Sequence, residues 1–216
     1  MLTLPLGSEL QEILCLGAHC DDIEIGCGGT LASLRRARPQ LRVTVVMFAG
    51  SAERAAESRV ALTRLLGEGA QARIEIYDYR DGYFPAQWAD IKDRIGELRR
   101  SIAPQLVLTH YERDRHQDHR TVSELTWQAF RDHLVLEYEI PKYDGDLSAP
   151  NVFAPLAVDC VDLKVDVLLR AFPSQADKQW FTADTFRGLM RQRGIECQSP
   201  SGFAEAFYGR KLAMRL

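Results

Sequence analysis

The chain has 216 residues, of which 46% are hydrophobic and 26% charged, and its formal net charge is −3. These ordinary values exclude a disordered or fibrous protein. A chain of this length buries about 70% of its unfolded surface, which is enough for one α/β domain without disulfides. Because Lys and Arg are spread along the sequence, nucleic acid is not an expected partner.

Membrane insertion and secretion are not expected either. No segment approaches the roughly 18 consecutive apolar residues that a bilayer span needs, and the first residues do not have the pattern of a signal peptide. The five cysteines are an odd number at irregular spacings, which argues against a disulfide framework and favours the cytoplasm. A homo-oligomer is compatible with the sequence, which does not fix the oligomeric state.

Strands and helices are predicted to alternate through the first 130 residues. Apolar and β-branched runs predict strands at 13–16, 43–48, 73–77 and 106–109, helical patterns fill 30–38, 53–66, 88–102 and 120–133, and two more helices are expected at 161–172 and 182–193. A last strand is predicted at 210–216. Four β–α repeats predict one Rossmann-like domain over 1–216, with three layers and a mainly parallel central sheet.

The segment 138–155 interrupts this pattern. It contains three prolines and a Tyr-Asp-Gly-Asp turn, which predict a long surface connection rather than a regular element. We expect this segment to cover a pocket.

Two polar clusters stand where the first and fourth predicted strands end. One is 19–22, His-Cys-Asp-Asp, and the other is 110–119, which holds three of the five histidines. The loops at the carboxyl ends of neighbouring strands in such a sheet meet at one crevice. The two clusters are therefore expected to share one site, as a metal centre would need.

The residue types suit zinc hydrolysis. Zinc in a hydrolase is usually held by three His or carboxylate ligands. His19 and Asp22 can supply two of them, and a histidine of the second cluster can supply the third. Asp21 is free to accept a proton from a metal-activated water.

In the second cluster, His116 and His119 project from one face if the segment is helical, so one can bind metal while the other faces the substrate. Asp118 is expected to orient an imidazole and to stabilise its charged form. A protonated His116 would then stabilise the oxyanion and protonate the leaving amine. Each motif alone is more often a solvated turn, but two of them after parallel strands favour a metal or catalytic site.

The two clusters also resemble a known family. Residues 18–26, Ala-His-Cys-Asp-Asp-Ile-Glu-Ile-Gly, are similar to the Ala-His-Pro-Asp-Asp-Glu opening of the LmbE-like, or PIG-L, N-acetylglucosaminyl deacetylases. Residues 114–119, Asp-Arg-His-Gln-Asp-His, resemble their second motif, Asp-X-His-Pro-Asp-His. The layout is similar from about residue 12 to 130.

The resemblance implies a role for each matching residue. His19, Asp22 and His119 would hold zinc, with Fe²⁺ as the other option, and Asp21 would be the general base. His116, assisted by Asp118, would act on the oxyanion and the leaving group.

It also implies an arginine that holds the sugar, in a pattern Arg-X-X-Glu. Arg54 fits best, with Arg59 as the competitor. The substrate would be an N-acetylated amino sugar, free or conjugated, from which the acetyl group is removed.

Cys20 and Gln117 stand where the family usually has prolines. Cys20 is a weaker candidate for a soft metal ligand, and His110 and His133 are expected to be structural or exposed. The glycines at 26–29 lack the spacing of a phosphate-binding loop and are expected to let the first helix pack closely against the sheet.

Three alternatives remain open at this point. The protein could be an amidase for a larger acyl group or a thiol conjugate. It could also be a non-catalytic module that binds a sugar or a nucleotide. A nicotinamide dehydrogenase is disfavoured by the missing glycine fingerprint.

Overall fold

The computed structural model describes residues 3, 6–7 and 10–213. Its strands are β1 Glu12–His19, β2 Arg42–Ala49, β3 Ala72–Ile76, β4 Leu106–His110, β5 Leu134–Tyr138, β6 Val152–Pro155 and β7 Ala204–Gly209. Its helices are α1 Asp22–Ala37, α2 Ala52–Leu66, α3 Trp88–Ser101, α4 Gln117–Ala129, α5 Val158–Ala171 and α6 Ala183–Glu196.

The seven strands form one sheet in the order β3-β2-β1-β4-β5-β7-β6. The first five strands are parallel, and β7 is antiparallel to both β5 and β6. The prediction of a mainly parallel sheet in an α/β fold is thereby confirmed. Because β1 and β4 are neighbours, the loops after them leave the same edge of the sheet side by side.

Helices cover both faces of the sheet. On one face α1, α2, α5 and α6 pack on one another, and on the other face α3 packs on α4. Each layer encloses its own apolar core, and the central strands β1, β2 and β4 are buried almost throughout. Their continuous apolar sequences reflect burial on both faces.

The C-terminal part of the chain differs from the predictions. The last strand that the structure describes is β7, which ends at Gly209. The strand predicted at 210–216 is wrong for residues 210–213, which are not in a strand. Residues 214–216 lie outside the described residues. Residues 138–155 are also not wholly irregular, since they contain the end of β5 and all of β6. Short strands that pair at a sheet edge have weaker local patterns than buried parallel ones.

Helix α1 begins eight residues earlier than predicted. Asp22 already lies in its first turn, and the helix continues through the glycines with a kink at Cys27, whose φ is −145°. A Cβ on Gly26 would lie 2.2 Å from the Tyr138 ring on β5. The expected close packing of this helix on the sheet is therefore observed.

Candidate active site

The corner between β1 and α1 supplies the first half of the site. His19 is the last residue of β1, and its backbone N–H donates to Asp22 Oδ2 at 2.6 Å. Asp21 lies between β1 and α1 with a φ of 119°, a conformation that non-glycine residues rarely adopt. Such strain persists where the surrounding structure enforces it, and it is concentrated at functional sites.

The connection between β4 and α4 supplies the second half. His116 is the N-cap of α4, and its Nδ1 accepts the backbone N–H of Asp118 at 3.2 Å. His119 lies in the first turn of α4 and is buried. The backbone N–H of His116 donates to Asp114 Oδ1 at 2.8 Å, which fixes the end of the loop.

The three predicted ligands lie next to one another. His19 Nδ1 lies 3.3 Å from His119 Nε2 and 3.5 Å from Asp22 Oδ2, and His119 Nε2 lies 3.5 Å from Asp22 Oδ1. Ligands at about 2.0–2.2 Å from a tetrahedral zinc ion are separated by roughly 3.3–3.6 Å. The donor types and the pairwise spacings are those of a zinc site, with the two imidazoles facing different oxygens of Asp22. Among the described residues, the side chains that already lie close enough to share one ion group His119 with His19 and His116, or with Asp22 and His110.

The outer nitrogens of both imidazoles face carboxylates. Asp118 Oδ2 lies 3.2 Å from His19 Nε2, and Asp114 Oδ2 lies 2.9 Å from His119 Nδ1. A carboxylate on the far nitrogen fixes the tautomer and leaves the near nitrogen free for a metal, as in many zinc sites. The cluster has the arrangement of a metal centre as well as its ligand types.

Asp118 does not have the partner that the sequence suggested. Its carboxylate accepts the backbone N–H groups of Gly82 at 2.6 Å and Phe84 at 3.0 Å and contacts His19. Among the hydrogen bonds of the described chain, the imidazole of His116 is bonded only to the backbone N–H of residue 118. The carboxylate therefore positions His19 instead of His116.

The pKa values of the neighbouring carboxyls Asp21 and Asp22 are shifted in opposite directions. Burial raises the pKa of Asp21 to about 7, with Arg54 opposing and Asp22 reinforcing the shift. Burial would also raise the pKa of Asp22, but His119 and His110 overcome it and hold the pKa well below its ordinary value. One carboxyl is thus an anion suited to coordination, and its neighbour titrates near neutrality.

Arg54 lies at the site and Arg59 does not. Arg54 Nη2 is 2.7 Å from Asp21 Oδ2, and the same group donates to the Cys20 carbonyl. Arg59 bonds the Ile74 carbonyl on the exposed edge of the sheet. The Nε of Arg54 is buried and has no partner among the described residues, so it remains available as a donor.

The pKa of His116 is lowered, first by burial and then by the nearby His19. The protonated His116 expected from the sequence is therefore disfavoured. Since Nδ1 accepts a hydrogen bond from the backbone, the neutral ring carries its proton on Nε2.

Three residues without a predicted catalytic or metal-binding role lie at the site. His110 is fully buried, its Nε2 accepts the backbone N–H of Ala18 at 2.9 Å and lies 3.2 Å from Asp22 Oδ2, and it is structural as expected. Asp81 Oδ1, in a turn after β3, lies 3.0 Å from His19 Nε2. The third is Asp114. Each of these residues lies near the end of a strand, and this position is the feature of the sequence that could have predicted a place at the site.

Cys20 is an unsuitable ligand in this arrangement. Burial raises the pKa of its thiol to about 12, and only the thiolate binds metal well. Within the described part of the chain, Cys20 belongs to none of the groups of side chains close enough to share an ion.

Comparison with known protein families identifies a match that covers this part of the chain. The model of PIG-L, described as GlcNAc-PI de-N-acetylase, matches residues 14–130, which span both halves of the site. The chain belongs to this deacetylase family.

Individual relatives span most of the chain. The uncharacterized deacetylase YaiS of Escherichia coli K12 is 34% identical over 153 residues, which are 64% of this chain and 78% of YaiS. N,N'-diacetylchitobiose deacetylase from Pyrococcus horikoshii has a TM-score of 0.71 at 20% identity, covering 94% of this chain and 84% of its own.

One structural neighbour carries out a different reaction. GalB, the 4-carboxy-2-hydroxymuconate hydratase of Pseudomonas putida KT2440, has a TM-score of 0.73 at 18% identity and covers 95% of this chain and 99% of its own. The shared fold alone therefore does not select the reaction. In the part of the chain that the structure describes, no helix is both long and apolar enough to cross a bilayer.

Proposed function

We propose that this protein is a zinc-dependent hydrolase that removes the acetyl group from an N-acetylglucosamine-type amino sugar, free or conjugated. The observation that carries the proposal is the triangle of donor atoms from His19, Asp22 and His119, with a separate carboxylate, Asp21, directly beside it. Membership of the deacetylase family supports hydrolysis of an acetamide, and the chitobiose deacetylase neighbour supports a sugar substrate.

The metal would be held by His19, Asp22 and His119, and the same ligand types also accept Fe²⁺. A zinc ion there supplies Lewis acidity, which polarises an amide carbonyl and makes water a nucleophile at neutral pH. Asp114 and Asp118 hold the two imidazoles in the orientation that this coordination requires.

Asp21 is the general base of the proposal. It accepts the proton of the attacking water, and a pKa near neutrality suits a group that must accept a proton and then release it. When the C–N bond breaks, the amine nitrogen takes up the proton that Asp21 has received. The salt bridge with Arg54 keeps the carboxylate in place between these two steps.

His116 faces the developing negative charge of the tetrahedral intermediate. Its Nε2–H donates to the oxyanion, and a preorganised donor of this kind is worth about 10²–10³ in rate. Arg54 has a free Nε donor and binds a hydroxyl of the sugar in this proposal. Neither the role of His116 nor that of Arg54 involves the three residues proposed to bind the metal.

The test is acetate release from a panel of N-acetylated sugars and nucleotide sugars by the zinc-loaded protein. The variant Asp21→Asn should reduce kcat by at least about 100-fold, because it removes the base, while zinc stoichiometry stays at the wild-type value. Asp93→Asn, on the exposed surface of α3, is the matched control and should retain full activity.

Other outcomes separate the alternatives. Full activity of Asp21→Asn would contradict the role of this residue. Release of longer acids but not acetate would identify an amidase for larger acyl groups, and binding of a sugar without turnover would identify a binding module.

A further inference from the structure

A short segment of the chain is tied to the proposed metal site by a single lysine. The segment, residues 140–147, follows β5 and forms a turn whose tip, at 143–145, is exposed. The side chain of Lys142 instead points inward and is only 10% exposed. We call residues 140–147 the clasp.

Lys142 connects two buried carboxylates. Its Nζ lies 2.9 Å from Asp114 Oδ2 and 2.6 Å from Asp146 Oδ2, and these two side chains are 3% and 6% exposed. Asp146 Oδ2 also accepts the backbone N–H of Arg115 at 2.7 Å. The clasp is therefore bonded at two points to the loop that precedes α4.

Asp114 transmits this connection to two histidines of the second cluster, His116 and His119. The oxygen that contacts Lys142 also contacts His119 Nδ1 at 2.9 Å. The other oxygen accepts the backbone N–H of His116 at 2.8 Å. One carboxylate thus fixes the ring of a proposed ligand and the backbone of a proposed catalytic residue.

The ammonium group is what allows these carboxylates to lie together. Removing one partner of a buried ion pair leaves an uncompensated charge, which the protein relieves by rearranging or by admitting water. Without Lys142, both Asp114 and Asp146 would lose their cation at once. The lowest-cost rearrangement is the undocking of the clasp, whose tip is already exposed.

We propose that Lys142 is a positioning residue that couples docking of the clasp to the orientation of His119 through Asp114. This inference rests on the proposed function for its metal, but docking of the clasp is measurable without metal. Among the described residues the ammonium contacts Asp114, Asp146 and the Ile140 carbonyl and none of the proposed ligands. Its connection to His119 runs through Asp114.

The experiment compares Lys142→Met, Lys142→Arg and the control Lys92→Met, which removes an exposed lysine from α3. Hydrogen exchange of the backbone amides of Arg115 and His116, which donate to Asp146 and Asp114, is measured in the metal-free proteins, and zinc affinity is measured by competition with a chromogenic chelator. Lys142→Met should accelerate the exchange of these two amides and weaken zinc binding by about 10–100-fold, the usual effect of losing an outer contact to a ligand. Lys142→Arg should restore most of both properties, and the control should match wild type.

Other results separate the two proposals. Wild-type exchange and zinc affinity in Lys142→Met would overturn the coupling, even if its melting temperature fell, because a merely structural role predicts that pattern. If Lys142→Met does not fold, Asp146→Ala provides the same comparison, because it removes the acceptor of the Arg115 N–H and the carboxylate that Lys142 contacts. A wild-type protein that binds no transition metal would refute the proposed function, whereas the exchange comparison would still decide whether Lys142 docks the clasp.

Discussion

At the scale of single residues, Cys20 and Asp21 show how one buried environment gives neighbouring side chains different uses. Burial disfavours the charged form of both groups. Burial raises the pKa of Cys20 from 9.0 to about 12, so its thiol stays neutral, and raises the pKa of Asp21 by a similar amount, from 3.8 to about 7, with Arg54 opposing both shifts. The cysteine is inert at neutral pH, and the aspartate can exchange a proton there.

The raised pKa of Cys20 predicts that its thiol reacts very slowly with alkylating reagents in the native protein. At pH 8 the native protein should show almost no alkylation of Cys20 by iodoacetamide, because a pKa about four units above that pH leaves roughly one thiol in 10,000 ionised. All five cysteines are buried, and all should react after denaturation. Peptide mass spectrometry measures both states, and rapid labelling of native Cys20 that increases through pH 8–9 would contradict the raised pKa.

The site residues were more predictable than their partners. Local order in the sequence points to His19, Asp22 and His119, because each belongs to a polar cluster that follows a predicted strand. The contact of Asp118 with His19 depends on the turn at 81–84, which is distant in sequence and approaches only in the folded chain. Sequence spacing alone suggested His116 as the partner, since it is two residues away.

At the scale of elements, helix α1 depends on a strand at the opposite end of the chain. Its kink at Cys27 interrupts the backbone hydrogen bonds and leaves N–H groups without helical partners. Glu205 on β7 accepts the N–H groups of Gly29 at 2.9 Å and Thr30 at 2.6 Å. Its charge is neutralised by Lys164 of α5 at 2.6 Å.

This arrangement predicts the effect of Glu205→Gln on the free energy of unfolding. Glutamine keeps an acceptor for the helix but leaves Lys164 buried without a counter-charge, which should cost about 3–5 kcal/mol. The double variant Lys164→Met/Glu205→Gln should recover most of that loss. Urea denaturation of the two single variants and the double variant measures the coupling, and strictly additive losses would contradict it.

Substitution of a glycine by alanine is expected to have opposite effects on stability in α1 and in α6. Gly26→Ala should destabilise the fold by about 1–3 kcal/mol, because the new Cβ would overlap the Tyr138 ring and force a shift. Gly188→Ala, in α6, meets nothing within 4 Å and should stabilise the protein by about 0.5–1 kcal/mol through helix propensity. Thermal unfolding measures the change in melting temperature, which should fall for Gly26→Ala and rise for Gly188→Ala. Equal changes in the two variants would refute the packing argument.

The same elements show why the sequence misplaced some boundaries. The glycines at 26–29 read locally as a loop, yet α1 passes through them because the sheet requires close approach there. Strand β7 holds two alanines and a buried glutamate, which have low strand propensity. Its position follows from pairing with β5 and β6 and from the contact of Glu205 with Lys164, neither of which is local.

At the scale of the whole molecule, the sheet order places the site. The alternation of strands and helices predicted a parallel sheet whose loops converge, and the adjacency of β1 and β4 brings the two clusters together. Sequence patterns could not give that order, since they carry no information on which strands pair. They also could not show that α2 directs Arg54 toward Asp21.

The central claim is that one ion binds between the two loops. Anomalous diffraction at the zinc edge from crystals of the zinc-loaded protein tests it most directly. We expect a single strong peak about 2.0–2.2 Å from His19 Nδ1, His119 Nε2 and a carboxylate oxygen of Asp22. A peak held instead by Asp81, His116 and Asp118, or no peak at this edge of the sheet, would contradict the account.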